Sequence, residues 1–435
     1  MGNYDVVMKR TESWRNDRFG MFIHWGIYAV PAKGEWVKSR ENLTEEEYQN
    51  YFEIFTAENY NPKEWAKLAK QAGMKYAVLT TKHHDGFCLF DSKYTDYKAT
   101  NTPAGRDLVK EFVDAFRAEG IKIGFYYSLI DWHHHDYPHK GDMYHPRKDD
   151  PDCTNEGRDF SRYIEYMHNQ VRELCTNYGK IDILWFDFSY GDMHSEKWQA
   201  TKLVTMVRSL QPSIVIDSRL AHGDKGYTRG DENYDDAPVF EGDFFNPEEY
   251  VPMNGLKDKL GRDIPWETCI NSQGHGWGYV SDNNVFMGAR EVIYMLVDCV
   301  SKNGNLLLNV GPNAKGEFPK EIVKLLQEIG DWMHENSESI YGCGRANLPQ
   351  PEWGRVTAKD NVLYLHFFDK SAYCTWLHGI SKEDIKYSVY LEDLSEVKLG
   401  DFWNEHAKKD GGLLIPLKCA KLKNPIDTVI KVFLK

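Results

Sequence analysis

Ile181-Asp182-Ile183-Leu184-Trp185-Phe186-Asp187-Phe188 reads as a buried β-strand that ends in a carboxylate. A near-continuous run of Ile, Leu, Trp and Phe belongs in a sheet covered on both faces. An aspartate at the carboxyl end of such a strand packs poorly. It stands, however, where α/β barrels build their active sites. Taken alone, Asp187 serves equally well as a cap or turn residue, so the neighbouring segments have to decide.

Those segments alternate. Strand-like runs at residues 19–25, 75–81, 121–128, 181–188, 213–218, 266–270 and 305–310 are separated by helical periodicity. Leu108, Val109, Phe112, Val113 and Phe116 mark one helix face, and Phe160, Ile164, Met167, Val171 and Leu174 mark another. Gly73, Gly120, Gly179 and Gly304 follow four helices, where a left-handed residue ends a helix. Repeated strand–helix alternation gives parallel strands with helical crossovers. The expected fold class is therefore α/β, a (β/α)8-like barrel over residues 1–345. No Gly-rich phosphate loop follows a strand, which argues against a doubly wound sheet. Short β-like runs with intervening turns predict a C-terminal all-β sandwich over residues 346–435.

Composition narrows the function. With 66 acidic and 53 basic residues the net charge is −13, which disfavours nucleic acid or an anionic membrane as partner. No apolar run reaches membrane-spanning length. Eight scattered cysteines without a CxxC pair read as reduced thiols. Met1-Gly2-Asn3-Tyr4-Asp5 has no leader pattern; the chain reads as cytoplasmic as it stands, and as periplasmic or secreted if a leader was removed. Phe402-Trp403, two large aromatics in a polar stretch, suggest a homo-oligomer contact or a fold-back into the sandwich core.

Nearly every barrel strand runs into polar or aromatic residues. These are His24-Trp25, then Glu35-Trp36, Lys82-His83-His84-Asp85, Tyr126-Tyr127-Ser128, Asp187, and Asp217-Ser218-Arg219. Convergence at one mouth describes a pocket for a small polyhydroxylated ligand. Retaining hydrolysis of a glycoside needs two carboxylates, a nucleophile and an acid/base, about 5–5.5 Å apart. Asp187 supplies one. Glu241, Asp243, Glu248 and Glu249 are all candidates for the other, and spacing does not choose between them. A metal-dependent hydrolase is the rival reading, from His83-His84-Asp85 and His133-His134-His135 with His139. Adjacent histidines on a strand point to opposite faces, which counts against a shared ion; no metal and no cofactor is expected. A non-catalytic carbohydrate-binding barrel is the other alternative, and it requires one carboxylate to be missing.

The motifs Phe22-Ile23-His24-Trp25-Gly26, Gly34-Glu35-Trp36, Lys82-His83-His84-Asp85-Gly86-Phe87, Leu184-Trp185-Phe186-Asp187 and Asn303-Gly304-Asn305-Leu306-Leu307-Leu308-Asn309-Val310-Gly311-Pro312 resemble, in order, the α-L-fucosidases of glycoside hydrolase family 29. The resemblance covers the whole barrel. It implies a retaining mechanism on fucosylated oligosaccharides or glycoconjugates with Asp187 as nucleophile. It also implies that His24, Glu35, Trp36, His83, His84 and Tyr126 hold the fucose hydroxyls, that Arg219 stands near the acid/base, and that Trp277 packs on the C6 methyl. Asp243-Phe244-Phe245-Asn246-Pro247-Glu248 matches a family pattern that favours Glu248 as acid/base.

Overall fold

The protein is described here by a computed structural model covering residues 3–221, 234–368, 374–400, 412–416 and 424–435. Phe402, Trp403 and Cys419 lie outside the described residues. Seven parallel strands form the main sheet: β1 (Phe19–Ile23), β2 (Tyr76–Lys82), β3 (Lys122–Ser128), β4 (Ile183–Asp187), β5 (Val215–Ile216), β6 (Glu267–Asn271) and β7 (Asn305–Val310). They are ordered β5-β4-β3-β2-β1-β7-β6. All five residues of β4 are buried, as its continuous apolar run requires. Helices lie between the strands, among them α1 (Leu108–Ala118) and α2 (Phe160–Asn177). Each is capped by an aspartate, Asp107 and Asp159, and each buries the apolar face read from its periodicity.

The eighth barrel position, between β5 and β6, is an irregular segment and not a strand. Phe244 bridges Asp217, Phe245 bridges Trp266, and Glu248 bridges Cys269, all in the parallel sense. The backbone N–H of Asp243 reaches Ile216 O at 2.6 Å, and Cys269 N reaches Pro247 O at 3.1 Å. Pro247 has no N–H to donate, so the segment cannot complete a regular ladder. The chain enters it through Gly242 at φ 78°, where a Cβ would collide with the Asp217 carbonyl. Asp243 anchors its start, clamped by Arg10 at 2.6 Å and Arg208 at 2.5 Å. This irregular closure carries Glu248 to the barrel mouth.

Several sequence expectations shift here. The expected strand at 213–218 is only the two residues of β5, because Asp217 turns its backbone toward the closing segment. Gly73, Gly120 and Gly179 do adopt positive φ, but after α3 (Ala289–Ser301) the left-handed residue is Asn303 at φ 67°. Gly304 serves packing instead: a Cβ there would overlap the Trp266 indole.

The C-terminal region holds a five-stranded sheet with β8 (Gly344–Arg345), β9 (Gly354–Lys359), β10 (Val362–Phe367), β12 (Ile385–Tyr390) and β14 (Thr428–Leu434), ordered β12-β14-β10-β9-β8. A second sheet pairs β11 (Cys374–His378) with β13 (Gly412–Pro416). Val356, Leu365, Phe367 and Ile430 of the first meet Leu377, Leu413 and Ile415 of the second in one core. Sequence reading passes over β8 and β11, which are short and mixed in polarity.

Candidate active site

The parallel strands deliver their carboxyl ends to a cavity of about 310 Å³. His24, Trp36, His83, His84, Tyr126, Asp187, Arg219, Glu248 and Trp277 all line it, together with Phe22, Tyr144, Trp185, Phe188 and Cys269. That size and mixed lining suit one small polar ligand. Of the residues to which the family resemblance assigns a role, Glu35 alone does not line the cavity. It is buried beside the cavity, where its Oε2 accepts the backbone N–H groups of Trp277 and Gly278, both at 2.8 Å. Glu35 thus fixes the loop that presents Trp277.

Arg219 organises the carboxylates. One terminal nitrogen of its guanidinium binds Asp187 Oδ1 at 2.6 Å, and the other binds Glu248 Oε2 at 2.7 Å. Its plane lies over the Trp185 indole, 4.3 Å from the ring centre. Tyr126, on β3, donates its hydroxyl to Asp187 Oδ2 at 2.6 Å. Burial pushes the Asp187 carboxyl upward. The Arg219 charge and the hydrogen bonds from Tyr126 and Arg219 outweigh it, so Asp187 stays below the usual carboxylate range. It is an anion with a pre-set orientation.

Glu248 and Glu249 diverge. Glu248 faces the cavity with a third of its side chain exposed. Glu249 adopts φ 62°, a left-handed conformation uncommon for a non-glycine residue, and its Oε1 accepts Asn271 N at 2.9 Å. Glu249 does not line this cavity, and neither does Glu241 or the clamped Asp243.

The histidines come from strand ends, and their tautomers follow from their partners. Asn309 Nδ2 donates to the Trp277 carbonyl at 2.8 Å, so its Oδ1 must be the atom that meets His24 Nδ1 at 2.7 Å. His24 therefore carries its proton on Nδ1 and turns a bare Nε2 to the cavity. Ser128 Oγ donates to Ile130 O at 2.8 Å, which makes it the acceptor of His84 Nδ1–H at 2.7 Å. His84 Nε2 is also bare, 3.9 Å from Asp187 Oδ2 and too far for a hydrogen bond. Burial holds His24 down to about 4 and His84 to about 3, and it holds His83 well below its usual value. All three are neutral at pH 7, so the cavity offers lone pairs to hydroxyl donors.

His83 and His84 do not point to opposite faces, contrary to the expectation for strand neighbours. Strand β2 stops at Lys82, the chain turns, and both rings enter the cavity with centroids 4.0 Å apart. His133 instead stacks on Tyr97 at 3.8 Å and bonds Glu45 at 2.8 Å, outside the cavity. Among the described residues no three His, Cys, Asp or Glu side chains are placed to hold a metal ion.

Asn309 and Ser128 stand in the motif and strand end read from the sequence, but their role in holding the His24 and His84 rings was not read there. A lone asparagine inside the apolar run Leu306-Leu307-Leu308-Asn309-Val310 was the available signal. Replacing Asn309 by Leu should leave His24 Nδ1 without an acceptor, at about 1–3 kcal/mol. We expect kcat/KM to fall about 10- to 100-fold, with a smaller effect for Ser128→Ala, whose His84 ring keeps aromatic neighbours. Steady-state kinetics on folded variants checks this; unchanged kinetics would mean the rings are held by packing alone.

The same neutral histidines fix a pH dependence of stability. Their folded values lie below the usual histidine value of about 6.5, so the unfolded chain binds protons that the folded chain refuses. Stability is then full above about pH 6.5 and falls as pH drops toward 4, each unit of depression being worth about 1.36 kcal/mol per group. Buried Glu267, raised to about 7, and Asp85, raised to about 6, act in the opposite sense over the same range, so the histidine contribution is read by difference: His84→Gln should lose less of its thermal midpoint between pH 7 and pH 4.5 than the unaltered protein does. An identical pH dependence in both would contradict the neutral assignment.

Comparison with known proteins places this geometry. A family model described as alpha-L-fucosidase matches residues 3–338. The α-L-fucosidase isoenzyme 1 of Paenibacillus thiaminolyticus is 51% identical, with a TM-score of 0.94 and 99% of each chain covered. A Bacteroides thetaiotaomicron family 29 α-L-fucosidase, solved as a trapped covalent intermediate with 2-fluoro-fucosyl fluoride, is 29% identical with a TM-score of 0.83, covering 98% of this chain and 96% of that one. The human plasma α-L-fucosidase is 28% identical over 349 residues, 74% of this chain and 68% of its own length. The chain spans about two thirds of the length of such curated relatives.

Proposed function

This chain belongs to the α-L-fucosidase family, and we propose that it hydrolyses terminal α-L-fucosides with retention of configuration, Asp187 acting as nucleophile and Glu248 as acid/base. The observation that carries this reading is the single Arg219 guanidinium holding Asp187 and Glu248 at one cavity mouth. A binding-only barrel has no use for that pair. Asp187 is kept ionised and aimed, which a nucleophile requires.

In the first step an Asp187 oxygen attacks C1 of the fucosyl residue. The C1–O bond to the aglycone breaks, and Glu248 transfers its proton to the departing oxygen. Glu248 then takes a proton from water, whose oxygen attacks C1 and releases Asp187. Two inversions restore the α configuration. His24 Nε2 and His84 Nε2 accept hydroxyl protons of the sugar, and Trp277 offers a flat apolar face to the C6 methyl. The substrate is a fucosylated oligosaccharide or glycoconjugate.

Turnover of 4-nitrophenyl α-L-fucoside tests the reading. The matching α-L-galactoside adds a hydroxyl where the methyl meets the indole, so it should be slower by about 10- to 100-fold. A chelator should change neither rate. Absence of fucoside turnover, or a rate abolished by chelator, would overturn the proposal.

A further inference from the structure

Asp217 follows β5 and stands where three parts of the site meet. Its backbone N–H continues the β4–β5 ladder, donating to Leu184 O at 3.2 Å. In a parallel pair the next bond would run from Phe186 N to the main-chain carbonyl of Asp217. It runs instead to the side chain, from Phe186 N to Asp217 Oδ1 at 3.0 Å. The carboxyl thus replaces the residue's own carbonyl as the last rung. That frees the main chain to leave the sheet. Gly242, at the start of the closing segment, packs so closely on the released Asp217 carbonyl that a Cβ there would lie 2.0 Å from it. Phe244 then bridges Asp217 in the parallel sense.

The rung matters because of what it holds. Phe186 is fully buried, and a buried N–H without an acceptor costs free energy. The next residue is Asp187. Two residues beyond Asp217 is Arg219, which grips Asp187 at 2.6 Å and Glu248 at 2.7 Å. The segment bridged at Phe244 carries Glu248. One side chain therefore ties together the strand end that bears Asp187, the arginine between the two carboxylates, and the segment that bears Glu248. Asp217 itself is 0% exposed and does not line the fucosyl cavity. Burial pushes its carboxyl well above the usual carboxylate range, against the pull of the Arg219 charge, so an uncharged amide resembles it.

We infer that Asp217 is a positioning residue for the proposed hydrolysis: its side chain fixes Asp187 relative to Arg219 and Glu248 without touching the sugar. The inference rests on the fucosidase reading, in which those two carboxylates are nucleophile and acid/base.

Two substitutions test it. Asp217→Asn keeps the shape and the Oδ1 acceptor, whereas Asp217→Leu keeps the volume and removes the acceptor. On 4-nitrophenyl α-L-fucoside Asp217→Leu should lower kcat about 100-fold, the scale on which a misplacement of about 1 Å acts. KM should stay within about threefold, because His24, His83 and His84 come from other strand ends. Asp217→Asn should retain kcat within about fivefold. The acid limb of kcat/KM follows the ionisation of Asp187, which Arg219 holds low. Loosening that pair in Asp217→Leu should move the limb up by about one pH unit, a shift that lost stability alone does not produce. A loss in Asp217→Asn as large as in Asp217→Leu would overturn the inference. So would an Asp217→Leu protein with a lowered thermal midpoint but normal kcat and acid limb. If Asp217→Leu does not fold, Asp217→Ser, whose hydroxyl is too short to reach Phe186 N, carries the same expectations. A second arm does not need turnover. Backbone amides of residues 183–188 should exchange hydrogen about tenfold faster in Asp217→Leu than in Asp217→Asn or the unaltered protein, read by mass spectrometry. If the unaltered protein cleaves no fucoside, the catalytic reading fails while this difference still supports the anchoring of β4; equal exchange in all three proteins would exclude it.

Discussion

Replacing Asp187 by Gly should lower kcat on aryl fucosides by on the order of 10⁴-fold, the scale on which loss of a nucleophile acts. The effect is large because, among the described residues that line the cavity, none can take its place. Glu248 is the other carboxylate at the mouth, and it is held at the far end of the Arg219 guanidinium. The variant should remain folded, since Arg219 keeps Glu248 as its counter-ion and strand β4 keeps its apolar run. Azide should enter the vacated space and attack C1 from the face that Asp187 uses, giving β-L-fucosyl azide and restoring part of the rate. Near-normal turnover by Asp187→Gly, or rescue that yields the α-azide, would remove Asp187 from this role.

Glu248→Ala should show its loss selectively. A natural sugar leaving group needs a proton as it departs, so its release should slow by about 10²–10⁴-fold. Nitrophenolate leaves without one, and its first step should change by less than about tenfold. Glu249→Gln should reproduce neither pattern on the aryl fucoside, because its carboxylate lies outside the fucosyl cavity. If Glu248→Ala slows both leaving-group classes alike while a Glu249 variant shows the selective loss, the acid/base role passes to Glu249.

How much of this was legible beforehand depended on the kind of signal. The barrel strands announced themselves because parallel strands are buried on both faces and read as apolar runs; β7 coincides with its expected span, residues 305–310. Asp187 was legible as the polar end of such a run. The closing segment was not. Phe244-Phe245-Asn246-Pro247 has neither strand nor helix periodicity, and its place between β5 and β6 depends on hydrogen bonds to distant residues. The choice of Glu248 over Glu249 was undecidable from spacing for the same reason: it turns on a backbone torsion at Glu249. The shared orientation of His83 and His84 depended on strand β2 ending at Lys82, one residue before the pair. The resting role of Tyr126 was likewise hidden, since only the three-dimensional site shows its hydroxyl on Asp187.

Retention of configuration is the central claim, because it requires Asp187 to bond to the sugar and not merely to activate water. Proton NMR of the first turnovers of 4-nitrophenyl α-L-fucoside reads it directly, before mutarotation mixes the anomers. The α-anomer of fucose should appear first and decay toward equilibrium. Initial release of β-fucose would mean a single inversion, with Asp187 acting as a base, and would contradict the double-displacement mechanism.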